Sequence, residues 1–221
     1  ATPADSFDTL RELVPAFLQR LSVNVQAFNQ GPTTDLELQQ GLLCGFLNGV
    51  ARKLGRQAEP IAGQIIDAMC AVFSCGNNAA GEGNIVSEAL MCCGAVALAL
   101  EDAFIPLLPK VIPPLLAGLN STDDDDLCNN SLGTLGDLCS ATGQGFQPFV
   151  AGSMDAICTQ LTNPNTDRDL KVSMVNCCGD VLLHLGRVVA EPRAEDGAQV
   201  ADVVRRVPLL PMRLCTAGGG Q

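Results

Sequence analysis

Eleven cysteines and one histidine, His184, are the side chains of this 221-residue chain that could form a metal site or a nucleophile. Zinc sites need closely spaced thiolates and imidazoles, and a catalytic thiol needs a neighbouring base. The sequence has no Cys-x-x-Cys, no His-x-x-x-His and no base beside any cysteine, and an odd count with adjacent pairs makes a poor disulfide framework. We therefore predict reduced, packed cysteines in a cytosolic or nuclear compartment, with no catalytic residue, metal or cofactor.

Acidic residues are the other candidates, and they suit binding better than catalysis. The net charge is −11 with a pI near 4.3, which argues against nucleic acid, since phosphate binding needs clustered Lys and Arg. From composition alone, such acidity equally well favours basic partners or only keeps a hydrophobic protein soluble. The candidate contacts for a basic protein segment are Asp67, Asp123, Asp124, Asp125, Asp126 and Asp155. The alternative is that the run 123–126 is a solvated turn that caps the next helix, and its place between two helical stretches favours this interpretation.

The elements that would position these residues recur along the chain. Amphipathic stretches end at four positions spaced 46, 42 and 43 residues apart, which are Gly55, Glu101, Gly143 and Gly186. A proline follows five residues after each of the first three, namely Pro60, Pro106 and Pro148. Counted from these prolines, positions +1, +2, +6, +9, +10 and +13 are apolar in all three segments, which is one face of a helix.

Each unit therefore reads as helix A, a tight turn and helix B. Because proline is welcome in the first turn of a helix, the three prolines are predicted to begin the B helices, although Pro113 and Pro114 suggest that the second one starts late, near Pro109, or bends. The predicted helices cover 6–28, 35–54, 60–74, 84–100, 106–119, 124–142, 148–162 and 167–186. Asp137 and Asp180 follow a glycine at the same place in successive A helices and are predicted to accept hydrogen bonds in a structural ladder.

The sequence thus predicts an all-α fold, an α-solenoid of HEAT-type helical hairpins wound into a right-handed superhelix with the B helices inside. The predicted division is a B helix of a preceding repeat at 1–29, repeats at 30–76, 77–120 and 121–163, an incomplete repeat at 164–207 and a disordered tail at 208–221. The longest apolar run, 89–100, is too short for a membrane span, so none is expected.

Three stretches resemble a known family. They are Gln40-x-Leu42-Leu43-Cys44-x-x-Leu47-x-x-Val50-x-Arg52-Lys53, then Glu88-Ala89-Leu90-Met91, then Cys128 with Gly133, Gly136-Asp137-Leu138-Cys139 and Pro148-Phe149, and Gly179-Asp180 repeats the Gly-Asp pair. Their order and spacing over residues 6–186 resemble the central to C-terminal HEAT repeats of the importin beta, or karyopherin beta-1, nuclear transport receptors. The polar residues of the B helices depart from the family pattern, and the resemblance fades after Gly186.

The resemblance implies a function in protein transport. Members of the family bind basic import signals, or the basic adaptor segment of importin alpha, on an acidic inner face. They bind Phe-Gly nucleoporins between outer A helices, and they bind the small GTPase Ran through a main site that would lie outside this chain. The expected location is the cytoplasm and nucleus, including the nuclear envelope and pore, and no enzyme activity is expected. The alternative is a general HEAT-repeat scaffold or regulatory subunit that binds another protein.

Overall fold

The computed structural model describes residues 3–76 and 85–189, and within them it contains only helices, turns and short connections. The eight α-helices are α1 (Pro3–Gln30), α2 (Thr34–Leu54), α3 (Glu59–Gly76), α4 (Ile85–Leu100), α5 (Leu108–Leu119), α6 (Asp125–Thr142), α7 (Gln147–Thr162) and α8 (Arg168–Val189). Three 3-10 turns join the A and B helices, at Gly55–Ala58, Glu101–Leu107 and Gly143–Phe146. The predicted loop 76–83 and all predictions beyond residue 189 fall largely or wholly outside the described residues.

The helices stack in two layers. In the A layer α2 packs on α4, α4 on α6 and α6 on α8, while in the B layer α1 packs on α3, α3 on α5 and α5 on α7. A hairpin of two helices cannot bury both apolar faces alone, so each unit depends on its neighbours. The all-α solenoid of HEAT-type hairpins is confirmed, while its handedness and the division into repeats at the stated residues stay predictions.

The repeated apolar register is the core of the B layer. Positions +2, +6 and +9 from the three prolines are all buried, and they are Ala62, Ile66, Met69, Leu108, Ile112, Leu115, Val150, Met154 and Ile157. Positions +1 and +10 are half-buried in all three segments. Because the same positions are buried in three segments, the spacing of apolar residues after each proline correctly identifies the residues that pack in the core.

The prediction that Pro106 begins a helix is wrong. Pro60 and Pro148 are the second residues of α3 and α7, but Pro106 lies in the 3-10 turn Glu101–Leu107, and Pro109 is the second residue of α5. The late start near Pro109 is confirmed. Because the 3-10 turn keeps the chain helical up to Leu108, the buried register is retained although the α-helix begins three residues later than in the other units.

Gly186 does not end its helix either. We expected a helix end at Gly55, Gly143 and Gly186, yet α8 continues to Val189. The first two glycines do end helices, with φ values of 53° and 48° and ψ values of −137° and −119°. Such backbone is strongly disfavoured for residues with a Cβ, which explains the glycines at these two turns.

The second of the three turns, between α4 and α5, has glutamate where the other two have glycine, and Glu101 has a φ of 54°. A left-handed φ costs a non-glycine residue about 1–2 kcal/mol. The carboxylate pairs with the Arg56 guanidinium at 2.5 Å, but both side chains are exposed, so solvent screens the pair and it contributes little to stability. Glu101 therefore carries a net backbone strain at the turn between α4 and α5.

We expect Glu101→Gly to raise the free energy of unfolding by about 1 kcal/mol, because relief of the left-handed backbone outweighs the lost ion pair. Urea unfolding at neutral pH measures the change. Arg56→Gln is the control, since it removes the same pair and leaves the backbone as it is. Equal losses of stability in the two variants would show that Glu101 is not strained.

Candidate protein-binding surfaces

The exposed face of the B layer carries two of the candidate acids. Asp67 on α3 and Asp155 on α7 both lie seven residues after the proline of their helix, so they occupy equivalent positions, and both are exposed. The Lys110 ammonium of α5 lies between them in the stack and pairs with the Asp67 carboxylate at 2.5 Å. The hydrogen bond with Asp67 is the main cause that raises the pKa of Lys110. The charge of Asp67 is therefore partly neutralised by Lys110 within the protein.

The acidic run 123–126 lies at the turn between α5 and α6, and one of its aspartates caps α6. The Asp124 carboxylate accepts a hydrogen bond from the Leu127 backbone N–H at 2.8 Å, so it caps α6. Asp125 and Asp126 lie in the first turn of that helix, where carboxylates interact favourably with the helix dipole. Asp123 is exposed and accepts a hydrogen bond from the Thr122 hydroxyl at 3.2 Å.

Side-chain caps recur at the starts of the A helices. The Thr33 hydroxyl accepts a hydrogen bond from the Leu36 N–H at 3.3 Å. The Asp167 carboxylate accepts one from the Asp169 N–H at 2.7 Å, and this bond is the main reason that the pKa of Asp167 is lowered. Capping therefore accounts for Asp124, whereas Asp123, Asp125 and Asp126 keep exposed carboxylates for a partner.

Asp137 and Asp180 line one groove between α6 and α8 instead of forming the expected ladder. The groove has a volume of about 500 Å³ and is lined by Asn129, Leu132, Gly133, Gly136, Asp137, Ser140, Ser173, Asn176, Cys177, Asp180 and His184. Among the described residues neither carboxylate accepts a hydrogen bond. Burial is the main cause that raises the pKa of the half-buried Asp137, and the charge of Arg52 opposes it. Its carboxylate approaches α4 at Gly94, where an added Cβ would lie 2.8 Å from Oδ2.

Sequence reasoning missed the polar lining of this groove. Its amides and hydroxyls, on Asn129, Ser140, Ser173 and Asn176, come from two helices whose side chains meet only through the stacking of α6 and α8. The one available signal was that Asn129, Gly133, Gly136 and Ser140 recur at steps of three and four, which places them on one face of a helix.

The cysteines lack the features of reactive thiols. Eight of the ten described cysteines are buried in the core, including Cys44, Cys92, Cys93, Cys139 and Cys177. Burial raises the pKa of Cys44 to about 12, so its thiolate is scarce at neutral pH. Among residues 3–76 and 85–189 no group of three His, Cys, Asp or Glu side chains could hold a metal ion.

One stretch, Ile85–Leu119, is long and apolar enough to cross a membrane by length and composition alone. It comprises α4, the 3-10 turn and α5, and more than half of its most apolar window is buried inside the fold. The core helices of a two-layer stack pass this test because both faces are covered by protein. The stretch is therefore weak evidence for a membrane span.

Comparisons with known proteins agree with this architecture. The family model "Importin subunit beta-1-like, TPR repeats" matches residues 1–191. Importin subunit beta-1 of Arabidopsis thaliana is 30% identical over 154 residues, covering 66% of this chain and 17% of the relative. Importin subunit beta-1 of Schizosaccharomyces pombe is 24% identical over 183 residues, covering 80% of this chain and 21% of the relative.

A solved structure has the same fold. A crystal structure of importin beta superposes with a TM-score of 0.78 and 20% sequence identity, covering 91% of this chain and 22% of that chain. The chain thus spans about a fifth of the length of the relatives it matches. The period of 42–46 residues is that of HEAT-type hairpins, whereas TPR hairpins repeat every 34 residues. The match over residues 1–191 shows that the chain belongs to the importin subunit beta-1-like family.

Proposed function

We propose that this chain is a protein-binding segment of an importin-beta-like nuclear import receptor and that it holds a basic segment of its partner. The basic segment is an import signal on cargo or the adaptor segment of importin alpha. The observation that carries the proposal is a set of exposed acids on a member of this family. Asp155 lies on α7 of the B layer, and Asp123, Asp125 and Asp126 lie at the turn between α5 and α6 and in the first turn of α6.

Electrostatics supports a basic ligand over an acidic or apolar one. Complementary charge steers association and weakens with added salt, because surface charges are screened over about 8 Å at physiological ionic strength. The net charge of −11 gives a basic segment a favourable approach from a distance. Nucleic acid does not fit, since the chain has 13 Lys and Arg against 24 Asp and Glu.

Membership of the family suggests further functions for the protein. We propose that it binds Phe-Gly nucleoporins on the A-layer side, that Ran regulates it through contacts outside this chain, and that it passes between cytoplasm and nucleus through the pore. The α6–α8 groove is lined mostly by polar side chains, so a phenylalanine ring is expected to prefer another A-layer groove. We also propose that the chain is not an enzyme, since the surfaces of residues 3–76 and 85–189 offer no paired nucleophile and base.

The test measures binding of a labelled importin-alpha N-terminal peptide to the full chain by fluorescence anisotropy. We expect binding at about 50 mM salt that weakens about tenfold at about 200 mM, as charge-driven contacts do. Asp155→Lys should weaken binding about fivefold at low salt, and so should the combined change of Asp123, Asp125 and Asp126 to asparagine, which leaves the Asp124 cap in place.

Asp169→Lys is the matched control for Asp155→Lys, because it makes the same charge change on an exposed residue of α8 in the A layer. We expect less than a twofold effect on peptide binding. Absence of binding at low salt would contradict the proposal and favour a general HEAT-repeat scaffold for a globular partner. Equal effects of Asp155→Lys and Asp169→Lys would mean that net charge alone, and not the B-layer surface, attracts the peptide.

A further inference from the structure

The junction between α6 and α8 is open where the two preceding junctions of the A layer are closed. With the spacings of 46 and 43 residues, Cys44 of α2 and Leu90 of α4 correspond to Gly133 of α6. Cys44 and Leu90 are completely buried, whereas Gly133 is exposed, although α8 packs on α6 as α4 packs on α2 and α6 on α4. The junction between α6 and α8 therefore lacks a side chain that fills the other two.

Two further positions on α6 differ from their counterparts in the same way. The counterparts on α2 and α4 are apolar and completely buried, and they are Leu47, Ala51, Cys93 and Ala97. On α6 the positions hold Gly136, which is half-buried, and Ser140, which is exposed. No neighbouring atom lies within 4 Å of a Cβ added to Gly133 or Gly136, so packing requires neither glycine. Because glycine destabilises a helix interior relative to alanine, stability does not explain them either.

The walls of the α6–α8 groove are acidic. Asp137 and Asp180 occupy equivalent positions on α6 and α8, and both line the groove. Neither carboxylate accepts a hydrogen bond from a described residue, and no Lys or Arg is among the described residues that line the groove. Burial raises the pKa of Asp137, although the charge of Arg52 opposes it, so the ionised carboxylate is short of compensation. A cation brought by a ligand would supply it.

The dimensions of the groove suit an extended chain. Its volume of about 500 Å³ lies within the range of about 300–1,000 Å³ that is usual for ligand pockets. On α6 the lining runs from Asn129 to Ser140, which is about 16 Å of helix at 1.5 Å per residue. About five residues of extended chain have that length. Amides and hydroxyls on both walls, including Ser173 and Asn176, are suitable partners for the main chain of such a segment.

We propose that the α6–α8 groove binds an extended segment of a partner protein through an arginine side chain whose guanidinium pairs with Asp137 and Asp180. Arginine fits better than lysine, because its planar guanidinium bonds to carboxylates through two N–H groups at once and is less strongly hydrated than an ammonium. The site goes beyond the proposed function, since the groove is lined by A helices alone and includes none of the acids assigned to the basic segment.

The test is a titration of the ¹⁵N-labelled full chain, followed by ¹H–¹⁵N correlation spectra, with the blocked pentapeptide Gly-Gly-Arg-Gly-Gly. We expect saturable shifts of the Gly133 and Gly136 amide signals and none of Gly63, which lies on α3 in the B layer. A pentapeptide with citrulline in place of arginine keeps the shape and loses the charge, so it should bind at least about tenfold more weakly. Equal shifts with the two peptides would overturn the proposal.

Two variants and a matched control locate the binding. Asp137→Asn removes one charge at nearly constant shape and should weaken binding about tenfold. Asp169→Asn makes the same change on an exposed residue of α8 that does not line the groove, and it should have less than about a twofold effect. Gly133→Leu introduces the residue that α4 has at this position, so it should fill the groove, abolish the peptide-induced shift of Gly136 and raise the midpoint of urea unfolding.

Three results with these proteins would contradict the proposal. A Gly133→Leu chain that is folded and still binds the peptide would show that the groove is not the site. Equal weakening by Asp137→Asn and Asp169→Asn would show that net charge alone attracts the peptide. Tighter binding after Arg205 and Arg206 are both changed to glutamine would overturn the choice of a separate partner, because arginines of this chain would then be the occupant.

Discussion

Replacing Phe146 with alanine is expected to lower the free energy of unfolding by about 3–5 kcal/mol, as large core truncations do. Phe146 is fully buried in the turn between α6 and α7, three residues after Gly143. The turn contacts α6, α7, α8 and the neighbouring turn Glu101–Leu107, so the ring fills space shared by two repeats. Alanine would leave a cavity that the surrounding helices cannot close without moving. A loss of this size is a large part of the 5–15 kcal/mol that stabilises ordinary domains.

Phe149→Ala is the matched control for this prediction. Its ring lies 5.9 Å from that of Phe146, centroid to centroid, but it is only half-buried. We expect a loss of at most half that of Phe146→Ala, because less apolar area leaves the core. Urea unfolding followed by circular dichroism measures both variants. A loss below about 1 kcal/mol for Phe146→Ala would mean that the turn does not couple the repeats.

The buried turn position is itself repeated, and it shows what the sequence can predict. The residue three places after each anchor is Ala58, Phe104 or Phe146, and all three are fully buried. The prolines, the anchors and the apolar register are local features with a helical period, so they locate helices and their buried faces from the sequence alone. The helices expected from that register agree with those observed to within a few residues at most of their ends.

Other features depend on contacts between residues far apart in sequence. The Asp67–Lys110 pair joins residues 43 apart, and the α6–α8 groove joins two helices, so neither has a local signature. The start of α5 was uncertain for another reason. Three prolines near the start of one helix, with a fourth at Pro106, fit several alternative first turns. Ile105 also packs against Gly145 of the next turn, and a contact between residues so far apart in sequence cannot be predicted from local pattern.

The A and B layers approach each other closely at one glycine of α5, so a larger residue there is expected to lower the free energy of unfolding. Gly118 of α5 lies against α6, where an added Cβ would overlap the Ser131 hydroxyl and lie 3.3 Å from the Ser131 Cβ. Ser131 is buried, and its hydroxyl donates a hydrogen bond to the Leu127 carbonyl at 2.7 Å, so it has little room to turn away. We expect Gly118→Ala to lower the free energy of unfolding by about 1–3 kcal/mol through overpacking, although alanine is the better helix former.

Two further variants separate overpacking from other causes of that loss. Gly63→Ala changes a glycine of another B helix, α3, that has no neighbouring atom within 4 Å of an added Cβ, and it should gain up to about 1 kcal/mol from helix propensity. Adding Ser131→Ala to Gly118→Ala removes the overlapping hydroxyl and should recover at least half of the loss, which a double-mutant cycle measures as coupling. If Gly118→Ala stabilises the protein as Gly63→Ala does, then α5 and α6 are not in close contact at this position, and the distance between the two layers there is set by other residues.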